Sequence, residues 1–172
     1  KTILILSMTS LLFADENRIG SVTELNGTII AITDDLDERD LLLHDHIFLN
    51  EEIFVSEGSS ATIQFNDNTA IIMKELTSIN INEFENSKKN PKFKAELLKG
   101  KIVIESGSIA KNNNGEMIVD ITTSSIGLRG TRIDADLKPN GKSNISLAED
   151  SFGNVGEIEV TLEGQTSNIT ST

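Results

Sequence analysis

Cysteine, tryptophan and tyrosine are absent from the chain, and seven phenylalanines make up its aromatic content of 4%. The absence of cysteine excludes disulfide bonds, thiolate metal sites and a lipidated N-terminal cysteine. With so few aromatic side chains, the core has to be filled mainly by isoleucine, leucine and valine, which suit pleated strands. The composition therefore favours a β-rich protein without covalent cross-links.

Positive charge is also scarce, since the chain has 15 lysines and arginines against 27 acidic residues and a formal net charge of −12. Such a chain repels a phosphate backbone and an anionic lipid surface, so we expect no nucleic-acid partner. A length of 172 residues with 37% hydrophobic content is enough for one domain with a real core and too short for two.

The N-terminus carries the longest apolar run. Lys1 is followed by a mostly apolar segment up to Ala14, and the acidic Asp15 and Glu16 come next. This pattern is typical of a secretory signal peptide, and the run is well short of the roughly 20 residues that span a bilayer. We predict that residues 1–14 are a signal peptide, that the protein is exported to the periplasm or cell surface, and that no other transmembrane span exists. A buried first strand is the alternative.

From residue 15 onward the chain alternates short apolar-polar segments with turn residues, the spacing of an all-β domain. The sequence predicts a single elongated domain over residues 15–163, made of short, mostly antiparallel strands with little helix, sandwich-like or solenoid-like. Residues 164–172 are polar and rich in serine and threonine, and are expected to be a tail or a truncated continuation. The clearest alternating pairs are Ile47 and Leu49, Ile53 and Val55, Ile63 and Phe65, Ile79 and Ile81, and Ile158 and Val160.

Two turns are predicted with their flanking strands. Asn26-Gly27 lies between Gly20–Leu25 and Thr28–Thr33, and this dipeptide favours a two-residue hairpin turn. The second turn, at residues 66–68, joins Ala61–Phe65 to Thr69–Lys74. The acidic segment at residues 34–40 is expected to be a solvated loop or a single helical turn.

The segment from Ile118 to Leu137 combines strand patterning with glycine and arginine. Its apolar residues change parity around Gly130, so a bulge at this glycine would keep both apolar sets on one buried face. The buried set would be Ile126, Leu128, Ile133, Ala135 and Leu137. The opposite face would carry Arg129, Arg132, Asp134 and Asp136.

The same segment resembles a known family. Ile-Thr-Thr-Ser-Ser-Ile-Gly-Leu-Arg-Gly-Thr-Arg-Ile, at residues 121–133, is similar to the Ala-x-(Ile/Val)-Gly-(Val/Ile)-Arg-Gly-Thr segment of FecR-type domains, the extracytoplasmic signalling domains of bacterial iron-uptake regulators. Asn68 stands where the family usually has glycine, and Ser125 stands near its usual alanine. The upstream matches are, in order, Asp45-His46-Ile47, Ala61–Phe65, the turn at residues 66–69, Ala70–Met73 and Leu97–Ile102.

The resemblance spans Gly20 to Leu162 and implies a β-rich recognition module that works by protein contact. It implies a protein partner in the cell envelope, and a mainly structural role for the motif residues Ile126, Gly127, Leu128, Arg129, Gly130 and Thr131. The anti-sigma role of the iron-uptake regulators is not carried over, because no room for their cytoplasmic arm is evident. The alternative is a structural or adhesive cell-surface β module, either as a whole protein or as a fragment of a longer one.

Candidate chemistry is sparse. No serine lies in a nucleophile elbow, and the two histidines, His44 and His46, would share a face only if Leu43–Leu49 is a strand. We therefore expect no catalytic residues, no metal and no cofactor. Arg129 and Arg132 are candidate partner contacts that could hold an anionic group, and the alternative is that they pair with Asp134, Asp136 or acidic residues of a neighbouring strand.

Overall fold

The computed structural model describes residues 17–150, 153, 155–162 and 164–170. The predicted signal peptide, residues 1–14, lies outside the described residues. Within them the chain forms fifteen strands and one short helix. The elements are β1 (Arg18–Asn26), β2 (Ile29–Ile32), β3 (Glu38–Asp40), β4 (His46–Phe48), β5 (Glu52–Val55), β6 (Ser60–Phe65), β7 (Ala70–Met73), β8 (Thr77–Glu85), β9 (Lys92–Glu105), α1 (Ser108–Lys111), β10 (Glu116–Ile121), β11 (Ser124–Arg129), β12 (Arg132–Leu137), β13 (Ser143–Ala148), β14 (Glu157–Leu162) and β15 (Gln165–Thr170).

The strands form two hydrogen-bonded layers, and the long strand β9 belongs to both. Its N-terminal part, up to Lys99, pairs with β8 and β10, and its C-terminal part, from Gly100, pairs with β7 and β12. Gly100 takes a φ of +87°, and an added Cβ there would lie 2.6 Å from Thr77 Cα, so this position requires glycine. The first layer runs β4-β1-β6-β7-β9-β12-β13, and the second runs β3-β2-β5-β8-β9-β10-β11-β14-β15.

The two layers share one apolar core. The ring of Phe65 on β6, in the first layer, lies 6.1 Å from Phe84 and 5.0 Å from Phe93, both in the second layer. Among the described residues only β9 and β10 pair in parallel, because the chain crosses from one to the other through α1. The predicted all-β class with mostly antiparallel strands and little helix is confirmed.

The predicted hairpin at Asn26-Gly27 is wrong in its pairing, although both strands exist. β1 pairs with β4 and β6, whereas β2 pairs with β3 and β5, so the turn carries the chain from the first layer to the second. Gly27 has a φ of +85°, and the next amide, of Thr28, donates to Ser59 Oγ at 2.9 Å. A turn dipeptide specifies where the chain reverses, but packing against the core decides which strands pair.

The predicted bulge at Gly130 is also wrong, although every apolar residue assigned to the buried face is buried. β11 pairs with β10 and β14 in the second layer, whereas β12 pairs with β9 and β13 in the first. Gly130, with a φ of +64°, lies at the corner between these two strands. The parity change arises because the two strands approach the same core from opposite layers, which alternation alone cannot distinguish from a bulge.

The C-terminal segment expected to be a tail or a continuation contains β15, which pairs antiparallel with β14 along all six residues. All six side chains of β15 are exposed. In the part of the chain that the structure describes, no helix has the length and apolar character needed to cross a membrane.

Candidate functional site

A group of polar side chains is buried where three connections meet at one end of the sandwich. We call it the polar junction and define it by Asp67, Thr69, Ser106 and Thr131, each at most 2% exposed. Asp67 and Thr69 belong to the turn between β6 and β7, Ser106 follows β9, and Thr131 lies between β11 and β12. Buried polar groups need hydrogen-bond partners, and each of these side chains accepts a hydrogen bond from a backbone amide.

Asp67 fixes the start of α1. Its carboxylate accepts from the Thr69 amide at 3.0 Å, from Thr69 Oγ1 at 2.8 Å and from the Ile109 amide at 3.3 Å. Its backbone carbonyl accepts from the Ser108 amide at 2.7 Å, and Thr69 Oγ1 accepts from the Gly107 amide at 3.0 Å. The turn after β6 therefore accepts hydrogen bonds from the segment that follows β9, and this fixes the position of α1 before β10.

Thr131 holds the corner between the layers. Its amide donates to Ser106 Oγ at 2.8 Å, the Ser106 amide donates to the Thr131 carbonyl at 3.1 Å, and the Gly156 amide donates to Thr131 Oγ1 at 3.3 Å. A Cβ on Gly156 would lie 2.5 Å from the carbonyl oxygens of Arg129 and Gly130. The Arg-Gly-Thr step thus joins the end of β9, the β11–β12 corner and the approach to β14.

The six motif residues fall into two groups. Ile126 and Leu128 are buried in the core, and Gly130 and Thr131 form the corner. Gly127 and Arg129 instead face outward on β11, the first half-buried and the second exposed. The structure therefore leaves two of the six where a partner can reach them.

These two residues line a shallow surface groove of about 410 Å³ over β10, β11 and β14. Gly127 forms its floor with backbone alone, since it has no side chain. A Cβ added there would meet only Glu159 of β14, at 3.6 Å. Arg129 lies beside the floor, Glu116 and Glu159 supply negative charge, and the loop before β10 contributes Asn113 and Asn114. The groove combines one cation with carboxylates and amides, so it suits a polar peptide segment better than an apolar ligand.

Arg129 and Arg132, the predicted partner contacts, are not brought onto one face. Arg129 is exposed on the second layer, and Arg132 is half-buried on the first. Within the described residues neither arginine forms an ion pair, and Asp136 pairs instead with Lys138, at 2.5 Å. The predicted pairing of the arginines with Asp134 or Asp136 is therefore not seen, and a clamp formed by both arginines together has no geometric basis.

The two histidines do not share a strand. His44 lies in a turn with a φ of +74°, and β4 begins at His46. The condition for a common face, a strand from Leu43 to Leu49, is not met. Among the described residues no group of three or more histidine, cysteine or acidic side chains is close enough to hold a metal ion.

Sequence reasoning missed a second polar cluster, which ties the layers together at β3 and β4. Arg39 Nε and Nη2 donate to the two carboxylate oxygens of Glu51 at 3.0 and 2.7 Å, and Nη2 also donates to the His46 carbonyl at 2.8 Å. The Arg39 guanidinium lies 5.4 Å from the ring centre of Phe48. We call this the edge clamp. Its arginine lies in the acidic segment expected to be a loop, which instead contains β3.

The fold and the junction define a class: a two-layered all-β protein in which an aspartate turn and an Arg-Gly-Thr corner both hold the segment that follows β9. The chain belongs to the FecR family, since the model of the FecR protein family matches residues 51–152, more than half of the chain. The match contains the polar junction, β11 and β12. Comparison with curated proteins finds no match.

Solved structures give a similar result for the fold. Two crystal structures of a candidate anti-sigma factor from Parabacteroides distasonis align over 69% of this chain and 50% of theirs, with a TM-score of 0.54 and 13% identity. The chain thus spans half the length of that protein, and at this identity the similarity concerns the fold alone. A cell surface anchoring domain is 32% identical over 36% of this chain and 82% of its own, with a TM-score of 0.35, too low to support an argument.

Proposed function

We propose that the protein is an exported, non-enzymatic FecR-type module of the bacterial cell envelope that acts in signalling by binding a protein partner. Membership of the FecR family and the similarity in fold to a candidate anti-sigma factor support a signalling role. The apolar run before residue 15 supports export to the periplasm or cell surface.

The observation that carries the proposal is the division of the family motif between core and surface. Four of its six residues are used by the core and the corner, whereas Arg129 is exposed and, among the described residues, forms no ion pair. It lines the groove together with Gly127. An exposed guanidinium in this position can bind a carboxylate or a backbone carbonyl of another protein. The partner surface is therefore the outer face of β10, β11 and β14, with Arg129 as its cation. Arg132 would be a separate, secondary contact on the other layer.

The experiment is capture of envelope proteins by the purified protein after chemical cross-linking. Arg129→Glu should remove the captured partner, because it reverses the charge at the centre of the surface. Arg18→Glu is the matched control, since Arg18 is an exposed arginine on the first layer. Equal capture by the wild type and Arg129→Glu would refute the assignment of this face, and loss of capture in both variants would point to general charge instead.

Export has a separate test. We expect mature protein from the native cell to lack the apolar run from Leu4 to Phe13, as intact-mass spectrometry would show. Mature protein that retains this run would contradict the proposed location without bearing on the Arg129 surface.

A further inference from the structure

The four edge strands of the two layers fall into two contrasting pairs. β3 and β4 form one pair of edges, and each is only three residues long. β3 reads Glu-Arg-Asp, and its Arg39 reaches across to the carbonyl of His46 on β4. Short length, charge and a covering contact are the usual means by which a sheet edge is protected from adding another strand.

The opposite edges, β13 and β15, lack these protections. Each is six residues long, and neither contains a charged residue or a proline, although charged residues make up 24% of the chain. Among the described strands β15 pairs only with β14, and β13 only with β12. Among the described strands, the second layer thus has an acidic, covered edge at β3 and an uncharged, unpaired edge at β15.

Apolar side chains accompany the open edge. Ile158 on β14 is buried at 1% exposure, yet Ile169, its direct neighbour on β15, is 46% exposed. Leu162, on the same face of β14 as Ile158, is 48% exposed. The first layer therefore covers the start of β14 but not its end or β15, and the side chains of Leu162 and Ile169 are left exposed.

We propose that β15 is a self-association edge, at which a second copy of the chain adds its own β15 in antiparallel orientation. Identical strands that pair antiparallel form a closed two-fold interface, so the assembly would stop at a dimer. Its second layer would be continuous across the two copies, and the two sets of Leu162 and Ile169 would lie on the same face beside the shared axis.

Self-complementarity favours a second copy as the occupant, since its β15 edge presents the same outer backbone N–H and C=O groups and the same exposed Leu162 and Ile169. Copies that each carry a net charge of −12 repel one another at most orientations, and pairing through β15 brings together the uncharged edges while keeping the acidic segments at residues 34–40 at the far ends. A basic partner would find no carboxylate on β15 to bind. This inference is independent of the proposed partner face at Arg129.

The test is the mass of the purified protein by sedimentation equilibrium at up to about 100 µM, which detects micromolar association. We expect twice the mass of the single chain. Asn168→Glu should weaken the dimer by at least about tenfold, because it places like charges on adjacent strands near the axis. Asn82→Glu is the matched control, since Asn82 is an exposed asparagine on β8, which lies between β5 and β9 in the strand order and away from the β15 edge. It should leave the dimer unchanged.

Three results would overturn the proposal. The first is a wild type that remains at the mass of a single chain over this range. The second is a dimer that Asn168→Glu and Asn82→Glu affect equally. The third is a dimer that survives Asn168→Glu and is lost in Asn144→Glu, which would move the interface to β13. Unchanged thermal unfolding of Asn168→Glu would establish that loss of the dimer is not loss of the fold.

Discussion

At the scale of single residues, the polar junction explains why polar side chains occur inside a core built of isoleucine, leucine and valine. Asp67 and Thr69 were visible in the sequence only as a turn, and the structure shows them as acceptors for the amides that start α1. Their burial could not be predicted, because it depends on a segment about forty residues away in the chain.

Asp67→Ala should lower the free energy of unfolding by about 2–4 kcal/mol, because it leaves the buried amides of Thr69 and Ile109 and the Thr69 hydroxyl without their acceptor. Urea denaturation would measure this. Asp37→Ala, at an exposed aspartate, is the control and should change stability by less than about 0.5 kcal/mol. Equal effects of the two changes would mean that the junction contributes nothing.

The two glycines of the motif should respond differently to the same change. Gly130→Ala should destabilise the protein by about 1–2 kcal/mol, because an alanine at a φ of +64° is strained. Gly127→Ala should be tolerated within about 0.5 kcal/mol, since its Cβ would meet Glu159 at an ordinary contact distance of 3.6 Å. Thermal unfolding of both variants checks this, and the reverse order would show that the corner is misplaced.

At the scale of elements, most strands could be predicted from alternation, but their pairing could not. The turn at residues 66–69 was predicted with its flanking strands, and β6 and β7 do pair across it. The turn at Asn26-Gly27 and the corner at Gly130 instead send the chain to the other layer. Alternation reports which side of a strand is buried, and in a sandwich both layers bury a side in the same core.

The edge clamp should contribute more to the free energy of unfolding than a surface ion pair does. Arg39→Ala would leave the Glu51 carboxylate, which is 7% exposed, with only the Phe48 amide as a partner. We expect a loss of about 2–4 kcal/mol, below the upper range for buried pairs because the arginine itself is 34% exposed. Chemical denaturation measures it.

Replacing both partners of the clamp should recover much of that loss. Arg39→Met combined with Glu51→Leu removes both charges while keeping similar volumes, so no unpaired carboxylate remains. A double variant that is less stable than Arg39→Ala would mean that the charge pair itself, and not relief of a buried charge, holds β3 to β4.

At the scale of the whole molecule, the residues of the FecR motif divide into an inward and an outward set. The inward residues and the corner join the two layers, and the outward Gly127 and Arg129 line a surface groove. Family membership and the all-β class followed from the sequence, whereas the groove did not, because it depends on β10 and β14 lying on either side of β11.

The division of the motif into a structural corner and an exposed contact is tested most directly by urea denaturation of Arg129→Glu and Thr131→Val. The free energy of unfolding of each variant is compared with that of the wild type. Arg129→Glu should change it by less than about 1 kcal/mol, because the side chain is exposed and forms no ion pair with any described residue. Thr131→Val keeps the side-chain volume but deprives the Gly156 amide of its acceptor, and should cost about 1–3 kcal/mol. A large loss in Arg129→Glu together with a stable Thr131→Val would contradict the division of the motif into a structural corner and an exposed contact.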